Sequence, residues 1–285
     1  MDKSQTEITP FNELTPEEEH KIPVIIMCGG KGTRMREETE FRPKVIVPIG
    51  NEPIVWHVMK IYGHYHFKHF ILCLGYKGDM IKEHFKDLAW RANDFRLKTL
   101  TNHLDILKDD GIDRGEDWDI IFAETGLESN TARRLKLVEK YVNTDIFMLT
   151  YGDGVGNVNI EKLIEYHRKG DSLITITGIH PNSRFGVLKI EGDRILSFKE
   201  KAPLSDYINA GFMVMNREVF NLLPPIEENH TLEEFLTEMA KQRQIRIFPH
   251  EGFWDCMDTY KDFEYLNALW QKNPPWKIWK DADEV

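Results

Sequence analysis

Gly29, Gly30 and Gly32 stand close together in Cys28-Gly29-Gly30-Lys31-Gly32-Thr33-Arg34, directly after the apolar run Val24 to Cys28. Glycines so spaced let a backbone bend sharply and bring its N–H groups up to phosphate oxygens, although they serve a plain turn equally well. Two cations follow, Arg34 and the Lys44 of Arg42-Pro43-Lys44. A guanidinium matches phosphate as a fork and an ammonium meets it as a point charge; singly, each also reads as a solvated surface cation. Asp153 lies between two glycines after a second apolar run, in Tyr151-Gly152-Asp153-Gly154. A carboxylate there is a hard-oxygen ligand for Mg2+ or a turn residue. Asp258, in Met257-Asp258-Thr259, is either a second ligand or a helix-capping acid. Taken together, these types point to polyphosphate held with a divalent cation.

Other chemistries fit less well. No Gly-Lys-Ser/Thr follows the glycines at Walker spacing. The third glycine of a dinucleotide loop would fall on Met35, and no ribose-binding acid stands at the right distance, which disfavours a nicotinamide oxidoreductase. The 11 histidines show no metal-ligand spacing, and no nucleophilic Ser-His-Asp or Cys-His set is needed.

Alternating strands and helices must position these residues. Val24 to Cys28, His69 to Leu74, Ile120 to Ala123, Ile146 to Thr150 and Leu173 to Ile179 read as strands. Helices are expected over Pro53 to Tyr62, Met80 to Phe85, Thr131 to Tyr141 and Asn159 to Lys169. This alternation predicts an α/β fold, a Rossmann-like, mostly parallel sheet with helices on both faces. Right-handed crossovers would collect the strand C-termini, and therefore the glycine loop and Asp153, at one edge. The second half is more antiparallel, with a hairpin around Glu191-Gly192-Asp193 and strands at Ile208 to Met215 and Ile245 to Phe248. Thr231-Leu232-Glu233-Glu234 has capping-box spacing and opens a helix to about Gln242; Asp262 to Gln271 forms the last helix. Residues 91 to 118 are the least regular stretch. Trp270, Trp276 and Trp279 pack either on the parent domain or at a subunit contact.

The chain has 285 residues, 41% of them hydrophobic, enough for a substantial core. Residues 1–21 are expected to be a flexible extension, with a short helix at Thr15-Pro16-Glu17; residues 22–279 form the working domain and 280–285 a tail. A net charge of -10 argues against a nucleic-acid partner. No run approaches the ~20 apolar residues of a membrane span. Cys28, Cys73 and Cys256 fit neither a zinc site nor a disulfide framework and read as buried hydrophobes in a reducing cytoplasm.

The set Gly29 to Arg34, Lys44, Tyr151-Gly152-Asp153-Gly154-Val155, Arg184-Phe185-Gly186, Glu200-Lys201, Asn209-Ala210-Gly211-Phe212 and Met257-Asp258-Thr259 resembles the sugar-1-phosphate nucleotidyltransferase family, from about residue 22 to 279. Pro53-Ile54-Val55-Trp56-His57, Gly75-Tyr76-Lys77-Gly78 and Pro275-Trp276-Lys277 resemble its cytidylyl-transferring branch. The resemblance implies that Gly29, Gly30, Gly32, Thr33 and Arg34 hold a triphosphate and that Arg34, Lys44 and Asp153 are catalytic. It implies Mg2+ on Asp153 and Asp258, Arg134 near the base, and Gly186, Glu200, Lys201 and Asn209 on the sugar phosphate. The substrates it implies are CTP and α-D-glucose 1-phosphate, and the assembly a homo-oligomer with residues 91 to 118 as a contact. The chain departs from the branch at Pro43-Lys44-Val45, Glu200-Lys201-Ala202 and Ala132-Arg133-Arg134-Leu135. The last replaces a glycine pair and leaves the base open. Two other readings stay open: the same chemistry with another triphosphate or another sugar 1-phosphate, and a non-catalytic nucleotide-sugar-binding regulatory protein.

Overall fold

The computed structural model describes residues 20–88, 91, 93–107, 116–181, 185–200 and 204–280. The expected extension and its short helix therefore lie almost wholly outside the described residues, as do Arg184, Lys201 and most of the expected tail.

Seven strands form the central sheet: β1 (Val24–Met27), β2 (His69–Leu74), β3 (Asp119–Glu124), β4 (Ile146–Tyr151), β5 (Ile174–Ile179), β6 (Ile208–Asn216) and β7 (Ile245–Pro249). Their order is β7-β5-β6-β4-β1-β2-β3. β3, β2, β1 and β4 run parallel; β6 pairs antiparallel with β4 and with β5, and β5 is parallel to β7. So β6 alone is reversed, and the sheet is mostly parallel, as the strand-helix alternation requires.

Among the described residues, the helices longer than one turn are α1 (Ile54–His64), α2 (Gly78–Lys86), α3 (Thr131–Leu137), α4 (Ile160–Arg168), α5 (Leu232–Lys241) and α6 (Tyr260–Trp270). The two-residue period of a strand splits the core across the sheet. Val24 and Ile26, with Leu72 and Met148, face one side and pack with α1, α2, α4 and α6. Ile25 and Met27, with Ile71 and Leu149, face the other and pack with α3 and α5. Thr231 and Glu234 make the capping box expected of α5. α6 starts two residues before the expected Asp262, because Thr259 caps it and Asp262 closes a second capping box.

Residues 91 to 118 hold more order than their charge pattern suggests. Asp94–Lys98 and His103–Leu107 form an antiparallel hairpin. Its strands are largely exposed, so no buried face imposed an apolar period for the sequence to show. A second exposed hairpin pairs Val187–Glu191 with Arg194–Lys199, as the Glu191-Gly192-Asp193 turn requires.

The tryptophan tail packs on its own domain. Trp270 and Trp276 approach the His57 ring edge-on, at centroid distances of 4.6 and 6.2 Å. The fully buried imidazole donates from Nε2 to the Ile49 carbonyl at 3.0 Å and accepts at Nδ1 from Trp276 Nε1 at 3.4 Å. Those partners require the neutral ring, and burial lowers the His57 pKa to about 4. Gly50, at φ +64, belongs to the same joint. A Cβ there would lie 2.1 Å from Trp270 Nε1, and the Gly50 N–H donates to Asn267 Oδ1 at 2.9 Å. The joint fastens α6 to the turn that follows Lys44.

Two outcomes follow from this joint. Trp276→Ala is expected to destabilise the fold by about 3–5 kcal/mol in urea denaturation. An unfolded His57 titrates near 6.5 and the folded one near 4, so only the unfolded chain takes up its proton between those values. His84 is lowered to about 4 by burial, with Arg91 adding to the effect, and acts in the same window. The stability these rings support is intact above about pH 6.5 and falls as pH drops towards 4, so the urea midpoint should be lower at about pH 5 than at about pH 7.

Candidate functional site

The C-terminal ends of β1, β2, β3, β4 and β5 all meet one edge of the sheet, where β6 begins. Above it lies a cavity of about 270 Å³ lined by Gly30, Gly32, Thr33, Arg34, Lys44, Asp153 and Asp258, with Met27, Val45, Thr131 and Tyr151. Seven residues expected at the site, six from type and spacing and Thr33 from the resemblance, therefore share one crevice.

Asp153 and Asp258 are 105 positions apart, and a small ribbon brings them together. Gly154–Gly156 pairs antiparallel with Trp254–Cys256, and Met257 N–H donates to the Asp153 carbonyl at 2.9 Å. Both carboxylates then reach Lys44. Its Nζ lies 2.6 Å from Asp153 Oδ2 and also contacts Asp258 Oδ1. Arg34 adds a 2.8 Å bond to Asp258 Oδ2 from a more exposed position. Burial opposes the charge on Lys44, but Asp153 and Asp258 outweigh it and raise its pKa above the ordinary lysine value. Burial likewise opposes the charge on Asp258, and Lys44 and Arg34 outweigh it, lowering its pKa. Asp258 is thus no helix cap; Thr259 has that task.

The glycines divide their work. Gly30 has open space around it, and Gly32 sits at φ +60 with its missing Cβ facing Thr39 Cγ2 at 2.7 Å. Gly29 points inward, where a Cβ would come 2.3 Å from Arg134 Cζ. Arg134 itself is only 4% exposed and does not line the cavity. Its NH1 donates to Leu74 O at 2.8 Å and Thr125 Oγ1 at 2.6 Å, and its NH2 to Gly29 O at 3.2 Å. The guanidinium therefore ties the ends of β1, β2 and β3 together beneath the crevice. The residue that the resemblance implies near the base thus forms a clamp below the cavity, where its five-donor fork serves several acceptors at once.

The residues expected at the sugar are more dispersed. Gly186 and Glu200 lie in the connection between β5 and β6, and Asn209 is the second residue of β6; all three are outside the cavity lining, and Lys201 lies outside the described residues. Asn209 Oδ1 accepts from Gly211 N–H at 2.8 Å, and Gly186 leaves room for Phe198. Type-and-spacing reasoning passed over Thr131 and Tyr151 as site residues. Both stood at visible boundaries, a helix start and a strand end, and that was the available signal.

Two carboxylates directed at one ammonium form a hard-oxygen donor pair, and Mg2+ needs only one or two protein carboxylates when phosphates and water complete its shell. The donor set fits. Among the described residues no group of three or more His, Cys, Asp or Glu offers a fuller cage. The cysteines are free, Cys28 and Cys73 buried and Cys256 half-buried; burial raises all three thiol pKa values, Cys73 and Cys256 to about 12, so none is poised as a nucleophile. Among the described residues no helix is long and apolar enough to cross a membrane.

A glycine loop, cations and paired acids at the C-terminal edge of such a sheet define a phosphate-handling class. The family model for nucleotidyl transferases matches residues 23–273, and the chain belongs to that family. More particularly, the chain is 40% identical to the glucose-1-phosphate cytidylyltransferase of Salmonella typhi over 91% of this chain and all of that one. It is 41% identical to a Bacillus subtilis protein named for the same activity, over 90% of this chain and all of the relative. HddC from Yersinia pseudotuberculosis shares the fold with a TM-score of 0.63 at 20% identity, over 87% of this chain and 98% of that one.

Replacing Arg134 by Lys should lower stability by about 1–3 kcal/mol in urea denaturation, since one ammonium cannot reproduce the fork's bonds to Leu74 O, Thr125 Oγ1 and Gly29 O. An unchanged midpoint would remove the clamp from this account.

Proposed function

We propose that the protein transfers a cytidylyl group from CTP to α-D-glucose 1-phosphate, giving CDP-glucose and pyrophosphate. The single observation that carries this reading is the convergence of Lys44, Asp153 and Asp258 in the glycine-loop crevice. The relatives of matching length support the choice of base and sugar.

The nucleophile is a phosphate oxygen of the sugar 1-phosphate, already anionic near neutral pH, so no side chain has to remove a proton. The bond from that oxygen to the α-phosphorus forms as the bond to the leaving pyrophosphate breaks. The obstacle is repulsion between two polyanions. Gly30 leaves open space for the triphosphate against the backbone, Gly32 lets the loop turn at φ +60, and Arg34 and Lys44 supply positive charge. Lys44 has the stronger hold on its position, with two carboxylate partners and a half-buried stem. Asp153 and Asp258 would hold Mg2+, which when bound neutralises phosphate charge and aligns the reacting groups. We place the sugar phosphate against Gly186, Glu200, Lys201 and Asn209, beside the cavity.

The filled cation and acid positions favour an enzyme over a regulatory binding protein. The large exposed apolar side chains on the two hairpins, Leu97 and Leu104 on one and Ile190, Ile195 and Phe198 on the other, favour self-association, so we assign a homo-oligomer.

Pyrophosphate release from four triphosphates against several sugar 1-phosphates, with Mg2+, should be highest for CTP with glucose 1-phosphate. Lys44→Ala and Asp153→Ala should each lower kcat at least about a hundredfold. Near-normal turnover by both folded variants would exclude those residues from the reaction. Light scattering should report a mass above that of one chain; a monomer would end the oligomer assignment.

A further inference from the structure

The segment Asn229 to Glu233 contributes nothing to the cavity lining, yet it is bonded to both sides of the cavity. Asn229 makes three hydrogen bonds to the connection between β3 and α3. Its Oδ1 accepts from Asn130 N–H at 2.7 Å, its carbonyl accepts from Asn130 Nδ2 at 2.6 Å, and its Nδ2 donates to Glu128 O at 2.8 Å. Leu232 N–H then donates to Thr131 Oγ1 at 2.7 Å, and Thr131 lines the cavity. One residue further, Glu233 Oε1 accepts from the Tyr151 hydroxyl at 3.0 Å, and Tyr151 lines the cavity too.

Thr131 follows β3 and Tyr151 ends β4, and these strands lie on opposite sides of β1 in the sheet. The glycine loop leaves β1 between them. The start of α5 therefore spans the crevice from behind and links its two walls. The Tyr151 ring is fixed on a further side by Gly211, at φ +82, where a Cβ would lie 2.8 Å from Tyr151 Cδ2.

We propose that Asn229 and Glu233 are positioning residues that set the gap between Thr131 and Tyr151, and with it the discrimination between one-ring and two-ring nucleobases. A pyrimidine and a purine differ in width by a fused ring, so a gap held at one width favours one of them. A wall free to move loses that preference. This inference rests on the nucleotide site under Proposed function and adds the element that sets its selectivity.

The test uses the full chain with Mg2+. Binding of CTP, UTP, ATP and GTP is measured by calorimetry, and pyrophosphate release with glucose 1-phosphate is measured in parallel. Glu233→Ala, which removes one hydrogen bond, should weaken binding of the wild type's preferred triphosphate about tenfold, and Asn229→Ala, which removes two, at least as much. The ratio of one-ring to two-ring affinities should narrow, with kcat at saturation changing much less than KM. Glu233→Gln keeps an acceptor oxygen and should retain the native ratio. Tyr151→Phe removes the same bond from its other end without altering α5, so it should match Glu233→Ala and decides the matter if that variant does not fold. Unaltered affinities and ratio in the folded variants, even with a lower melting temperature, would overturn the proposal. A Glu233→Gln variant as impaired as Glu233→Ala would overturn it as well. If the wild type binds a triphosphate but releases no pyrophosphate with any sugar 1-phosphate, the catalytic reading fails, and the binding ratios still decide this one.

Discussion

The Lys44 ammonium, held between the carboxylates of Asp153 and Asp258, is the interaction on which the site depends. Two carboxylates placed together in a half-buried crevice repel one another, and a cation between them reverses the sign of that interaction. Each partner sets the ionisation of another: the acids raise the Lys44 pKa, and Lys44 with Arg34 lowers that of Asp258. The same arrangement suits a reaction between polyanions. In the proposed reaction the acids would hold a divalent ion, and Lys44 would stand beside them to meet phosphate. Two cations thus balance two acids in one place on a chain whose net charge is -10.

The rest of the fold serves to keep these three residues in register. Asp153 is fixed by the end of β4. Asp258 is fixed by the ribbon of Gly154–Gly156 with Trp254–Cys256 and by the cap of α6. Lys44 precedes the turn that Gly50, Asn267 and Trp270 fasten to α6. The tryptophan joint around His57 therefore contributes beyond simple burial. It carries the C-terminal element that presents Asp258 towards Lys44. Beneath the crevice, Arg134 answers the carbonyls at the ends of the parallel strands. Gly29 and Gly75 are small because that guanidinium occupies the space their side chains would need. Arg134, expected near the base, forms part of this floor, and Gly29, expected on the triphosphate, makes room for it.

Much of this was legible without coordinates. The strands β1, β2 and β4 were visible as apolar runs bounded by glycines, and the helices α1, α4 and α5 by their periodicity and caps. Those features are local, set by side-chain spacing and backbone preference over a few residues. The 94–107 hairpin was hidden because an exposed ribbon has no buried face to write a pattern. The helix α6 begins ahead of the expected Asp262 because the mutual hydrogen bonds of Thr259 and Asp262, which only the structure shows, close a capping box at Thr259.

By itself the sequence determined the α/β class, the glycine loop, and the candidacy of Arg34, Lys44, Asp153 and Asp258, since residue type and position at a strand end suffice for each. Only the tertiary structure decided which of them meet. Lys44 joins acids 109 and 214 positions away, and such pairings depend on strand order, the ribbon and the tryptophan joint. It also decided that Arg134 faces inward and that Asn229 and Glu233 stand behind both walls of the crevice. Direction and distance in space come from packing across the sheet, and no local pattern of side chains encodes them.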